Sequence, residues 1–276
     1  MRLVLVLLFL APILSNGQGD GNNAEARGDM NYYLMAYEKA EGSSNSILPV
    51  LNFVDKLAEK KNSFKKEDDF LAYLFQRTHQ RFLKHYDVDA TFGEILAHRS
   101  YNCLTATALY ALLLDNFKFD YKIIETNYHI FLLTQTDQGP VLFETTDPTS
   151  GYVSDPTVIE KRIALYKENR IQANAQNKTY YRFKFDLYNE VNLDQMLGLL
   201  YYNLSVKSYN EQNLAKAIEQ LGNASKLYNS PRIDEFSRII LLTVLEGNYE
   251  ESLKQKYLSS IRSFRRVQFN VTASSN

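Results

Sequence analysis

Residues 104–114 read LTATALYALLL, apolar on nearly every face, and no other segment limits the fold so firmly. A helix of that composition cannot rest on a surface and has to be enclosed by other elements. Strand-like segments follow it at 121–126, 128–136 and 140–146, and amphipathic helical segments precede it near 46–57 and 67–86. Helical spacing before the buried helix and β-rich runs after it predict an α+β fold, a buried helix against a small antiparallel sheet.

The local signals sharpen that outline. Ser46 reads as an N-cap before the stripe Ile47, Val50, Leu51, Val54 and Leu57. Asp155 followed by Pro156 opens a helix that runs to about residue 170. Asp137-Gln138-Gly139 reads as a three-residue hairpin loop, and residues 182–187 as a further strand. Lys60, Lys61, Lys65 and Lys66 read as a solvated turn, Asp87-Val88-Asp89 as a plain turn, and 172–179 as a polar loop. His79 and His85 are six residues apart, which puts them on different helix faces and reads as two surface histidines.

The two ends carry a different message. Met1-Arg2, the apolar run 3–14 and the small residues Ser15-Asn16-Gly17 have the layout of a signal peptide over residues 1–17. The mature protein is expected to be exported, periplasmic or extracellular, without a stable membrane span, since no other stretch approaches the roughly 20 apolar residues needed. Residues 18–45 read as a flexible leader with a short helix at Tyr32–Lys39, 46–188 as the core domain, 189–265 as helical repeats and 266–276 as a disordered tail. The repeats rest on Asn213–Ile218 and Asn248–Leu253, in which Ala217 and Ser252 stand 35 positions apart, close to a tetratricopeptide period. Tyr201, Leu204, Ser205, Ala217, Leu221 and Ala224 fit the large-and-small spacing of one unit, and Phe236 and Ile239 begin the next. Two units are few for a free-standing array, so this segment is expected to pack on the core.

Composition removes several function classes. With 31 basic against 32 acidic side chains the net charge is -1, which argues against a nucleic-acid binder. The single cysteine, Cys103, allows no intramolecular disulfide. In an exported chain it is either buried and inert, paired with another molecule, or reactive. No metal or nucleotide motif stands out, and no cofactor is expected.

Cys103 lies where a loop enters the buried helix, facing unpaired N–H groups and the positive helix end, a setting that favours a thiolate. His129 lies in an apolar strand and needs a hydrogen-bond partner there. If Thr136 pairs with Pro140, residue 129 faces Asp147, within reach of an imidazole. A slip of one residue would put Asp147 on the other face. In this register Glu144 points away from His129. Cys103, His129 and Asp147 then make a nucleophile, base and orienter, with the Cys103 N–H, and Asn102 or Tyr101, as oxyanion donors. His98, five residues before Cys103, is a competing base.

Cys103 on its helix, His129 on a later strand and Asp147-Pro148-Thr149 resemble the transglutaminase-like superfamily, over roughly residues 90–152. The resemblance implies a papain-like core with Cys103, His129 and Asp147 catalytic. Exported proteins joining such a core to tetratricopeptide-like helices are similar in layout. Two functions are expected on this footing. One is a thiol-dependent acyl transfer or hydrolysis at an amide bond, of the peptidase, amidase or transglutaminase type, with a protein or peptide substrate. The other is an inactive scaffold whose repeats bind a protein or peptide partner.

Overall fold

A computed structural model describes residues 19–42, 45–168 and 183–273. The expected signal peptide and the polar loop at 172–179 lie outside the described residues. In chain order the elements are α1 (Gly19–Glu41), α2 (Leu48–Lys61), α3 (Glu67–Phe82), β1 (His85–Tyr86), α4 (Phe92–His98), β2 (Ser100–Tyr101), α5 (Cys103–Asn116), β3 (Asp120–Thr126), β4 (Ile130–Thr136) and β5 (Gly139–Phe143). They continue with β6 (Tyr152–Val153), α6 (Pro156–Lys167), β7 (Tyr188–Val191), α7 (Leu193–Asn210), α8 (Leu214–Leu227), α9 (Pro231–Glu246) and α10 (Glu251–Ala273). The fold is α+β.

The sheet is antiparallel in the order β6-β5-β4-β3-β7. Alternation along its strands divides the core in two. Ile123, Ile130, Leu132, Val141 and Phe143 join the main core with α5, whose residues from Leu104 to Leu114 are all buried. Ile124, Phe131 and Leu142 pack instead with Ile159 of α6, and Leu133, Ile163 and Tyr166 lie against them. The all-round apolar helix is thus enclosed, by the sheet, by α1 and by α7.

The N-terminal stretch is not a flexible leader throughout. Met30, Leu34 and Tyr37, spaced to share one helix face, are buried in the main core, and α1 packs on α4, α5 and α7. At the other end α10 runs to Ala273, so a helix occupies much of the expected disordered tail. Strand β7 begins at Tyr188, beyond the 182–187 stretch expected to be a strand. There the Asn127 side chain takes the place of a ladder, donating to the Phe185 carbonyl and accepting from Leu187 N at 2.7 Å.

The N-cap of α2 is Ile47 and not the expected Ser46, whose hydroxyl accepts from Leu48 N at 3.3 Å. Asp155 caps α6 as expected, accepting from Thr157 and Val158 N–H groups. Three of the four clustered lysines are exposed. Lys61 is not simply solvated, because its ammonium lies 5.1–5.7 Å from the rings of Phe70, Phe117 and Phe119. His85 is exposed, whereas His79 is 4 % exposed, enclosed by Phe75, Tyr101 and Tyr110.

Helices α7 with α8 and α9 with α10 form two successive pairs; α7 packs on α1 and α5, and the second pair packs on α8. Small residues allow the close approach of α7 and α8. The Ser205 hydroxyl donates to the Ala217 carbonyl at 2.6 Å, and a Cβ at Gly198 would stand 2.8 Å from the Tyr228 Cβ. Among the described residues no helix is long and apolar enough to cross a membrane.

Candidate active site

Cys103 is the first residue of α5, and Asn102 is its N-cap. The Asn102 carbonyl oxygen of the side chain accepts from Thr105 N at 2.9 Å, and Thr105 Oγ1 accepts from Asn102 N at 3.0 Å, a reciprocal capping box. Asn102 Nδ2 donates to the carbonyls of Val88 and Ala90 at 3.1 and 2.9 Å. These bonds fix the residue before the thiol and leave the Asn102 amide committed, so it is not an oxyanion donor. Tyr101 is buried, with its ring edge-on to His79 and Tyr86, and is occupied as packing.

His129 closes the turn between β3 and β4. Thr126 N donates to His129 O at 2.8 Å, His129 N donates to Thr126 Oγ1 at 3.1 Å, and Asn127-Tyr128 form the tip. The imidazole interacts with the Cys103 thiol and, through Nε2, with Glu144 Oε2 at 2.6 Å. His98 is exposed at the end of α4, and the histidine that partners Cys103 is His129.

The orienting carboxylate is therefore Glu144 and not Asp147. The reason is a register one residue away from the expected one: Thr136 pairs with Gly139 and Leu132 with Phe143. The connection is the two residues Asp137-Gln138, tightened by Thr136 Oγ1, which accepts from Gln138 N at 3.1 Å and donates to Gly139 O at 2.9 Å. Gly139 takes φ +131, a conformation that suits glycine, and so joins the ladder. One residue of slip exchanges the faces. Glu144, just past the end of β5, comes to the α6 side with His129 and Phe131.

Glu144 is 6 % exposed and its acceptors are filled. Oε2 also accepts the Tyr166 hydroxyl at 2.5 Å, and Oε1 accepts Thr146 Oγ1 at 2.6 Å and Thr146 N at 3.2 Å. Tyr166 completes the enclosure, its ring centroid 4.8 Å from those of both His129 and Phe131. Asp147 has another task. Its Oδ1 accepts from Thr149 N and Ser150 N at 3.1 and 2.9 Å, turning the chain after Glu144, and Arg162 lies 3.7 Å from Oδ2. The turn closes on Gly151, where a Cβ would stand 2.1 Å from the Glu144 carbonyl oxygen and 2.3 Å from that of Asp147.

Electrostatics follow the geometry. Burial alone would favour neutral imidazole, but the bonds to Cys103 and Glu144 and the charge of Glu144 outweigh it and hold His129 up at about 10. Burial likewise pushes the Glu144 carboxyl up, yet His129, Thr146 and Tyr166 together hold it down at about 2. Cationic imidazole and anionic carboxylate are the favoured partners around neutral pH.

Cys103 opens on a cavity of about 320 Å³. Its walls come from the 86–92 segment, the hairpin tip with Tyr128 and Phe183, and α7 with Tyr202, Asn203 and Lys207. The helical pairs thus build one side of the cleft. Glu144 and Tyr166 escaped sequence reasoning, although a carboxylate at the end of the apolar run Val141-Leu142-Phe143 was itself a sign of a buried partner. Among the described residues no group of three potential metal ligands is assembled. No protein-family model, curated protein or solved structure matches this chain.

Proposed function

We propose that this protein is a thiol-dependent acyl-transfer enzyme or hydrolase acting at amide bonds of a protein or peptide. The reading places Cys103 as nucleophile, His129 as general acid and base, and Glu144 as orienter. The observation that carries it is His129 bonded through Nε2 to Glu144 Oε2 at 2.6 Å, with the Cys103 thiol acting on the same imidazole and opening on a cavity at the start of α5. The chain order of cysteine, histidine and acid supports a transglutaminase-like core, with Glu144 in place of the Asp147 that the resemblance implies. The two helix pairs support a tetratricopeptide-like reading of α7–α10. The layout of residues 1–17 supports export.

The chemistry balances with protein groups and an acceptor. The thiolate sulfur attacks the amide carbon, and the carbonyl electron pair moves to oxygen. The Cys103 N–H, one of the first-turn donors that a helix leaves without an internal acceptor, steadies that oxygen. As the pair returns, the C–N bond breaks, imidazolium gives its proton to the departing amine, and a thioester remains. Water or an amine then attacks, His129 takes its proton, and the C–S bond breaks to restore the thiolate. Glu144 keeps the ring oriented throughout and favours its charged form.

The test is release of ammonia or amine from glutamine-bearing and general peptide pools, and incorporation of an added amine, by the wild type and Cys103→Ala. Turnover in the wild type that disappears in a normally folded Cys103→Ala supports the reading. Equal turnover in both, or none in either, favours the scaffold function.

A further inference from the structure

We infer that Arg232, from the helical pairs, is a positioning residue for His129: it clamps the carbonyls of the hairpin turn that presents the imidazole to Cys103. The inference rests on the acyl-transfer reading for its functional meaning, though the clamp itself is a matter of geometry.

Arg232 stands in the first turn of α9, behind the N-cap Ser230 and Pro231. A cation there opposes the helix dipole, so nothing within α9 calls for it. Its partners are more than 100 positions away in sequence. Nε donates to Glu125 Oε1 at 2.9 Å, while Nη2 donates to the carbonyls of Thr126 at 2.9 Å and Asn127 at 3.2 Å. Thr126 and Asn127 are the residues of the turn that His129 closes, and Thr126 is hydrogen-bonded to His129 itself. The guanidinium lies 4.9 Å from the Phe183 ring and 5.5 Å from that of Tyr202, both walls of the Cys103 cavity.

The surroundings fix the clamp. Glu125 is 1 % exposed, and its second oxygen accepts the Tyr228 hydroxyl at 2.6 Å, so the charge of Arg232 is met by a carboxylate that is itself held. From the other side, the Asn127 side chain bonds to residues 185 and 187. A guanidinium alone among side chains offers donors in a fixed fork able to meet a carboxylate and two carbonyls together. The helical pairs therefore act on the reaction through the turn, in addition to walling the cleft.

The experiment follows the four histidine rings of the full-length protein by NMR with labelled histidine, assigning His129 by loss of its signal in His129→Ala. Arg232→Lys keeps a positive charge near Glu125 but cannot reach both carbonyls. The double variant Glu125→Leu/Arg232→Met removes both charges, so no buried charge is left unpaired. In whichever variant melts cooperatively, the His129 titration is expected to fall by about one pH unit or more. A His129 titration identical to wild type in a folded variant overturns the inference. Iodoacetamide labelling of Cys103 runs alongside in the wild type and His129→Ala. Equal labelling of those two proteins counts against acyl transfer, while the NMR result still decides the role of Arg232.

Discussion

Glu144 Oε2 lies 2.6 Å from His129 Nε2 and accepts the Tyr166 hydroxyl on the same oxygen, so one buried carboxylate fixes both an imidazole and the ring that covers it. Its other oxygen is bound twice by Thr146. A carboxylate so surrounded has one orientation, and the imidazole it holds inherits that orientation.

Removing this charge is the most direct perturbation of the site. Glu144→Gln is expected to destabilise the fold by about 3 kcal/mol, since a buried charged pair loses one member. It also lowers the proton affinity of His129 and slows Cys103 alkylation near neutral pH. Asp147→Asn is expected to leave the alkylation profile within about twofold of wild type, because Asp147 serves the turn through two backbone bonds. Thermal melts and iodoacetamide kinetics on the two variants check both outcomes.

Tyr166→Phe removes a hydrogen bond to a charged acceptor while keeping the ring against His129 and Phe131. The expected cost is about 1.5–3 kcal/mol, read by urea unfolding. A loss below a few tenths would mean that the hydroxyl bond contributes nothing.

Gly151→Ala is expected to be among the most damaging single changes in the core, at about 4 kcal/mol or more. The new Cβ would meet two backbone oxygens, those of Glu144 and Asp147, and backbone cannot step aside as a flexible side chain can. Alkylation of any folded fraction should follow His129→Ala, because the same turn seats Glu144.

Two histidines give opposite pH dependences. His79, buried and held down at about 4 chiefly by burial, binds its proton more readily in the unfolded chain. Its neutral form therefore supports stability above about pH 6.5, and that support is lost as pH falls toward 4. His129, held up at about 10, contributes stability that is full below about pH 6.5 and is lost as pH rises through 10. Denaturant midpoints measured across the pH range should lose the slope between about pH 4 and 6.5 in His79→Phe and the slope between about pH 6.5 and 10 in His129→Ala.

Much of this arrangement was legible in the sequence, and the exceptions have physical causes. The run 104–114 had to be enclosed, and the helix start at Asp155-Pro156 carried its own capping chemistry. The tip of the second hairpin was ambiguous: Gly139 suits either a loop position or a strand residue with positive φ, and that difference alone exchanges Asp147 for Glu144. His79 looked like a surface residue because its own helix gives no sign of Tyr101 and Tyr110, which come from elsewhere. Arg232 has no local signal, since its partners lie on another part of the chain.

The central claim is that Cys103, His129 and Glu144 work as one unit, and the pH dependence of Cys103 alkylation by iodoacetamide tests it most directly. An isolated thiol reacts as its thiolate, with a midpoint near about pH 8.5. The folded wild type is expected to react at pH 6 at least about tenfold faster than both His129→Ala and Glu144→Gln. Superimposable profiles for the three folded proteins would contradict it.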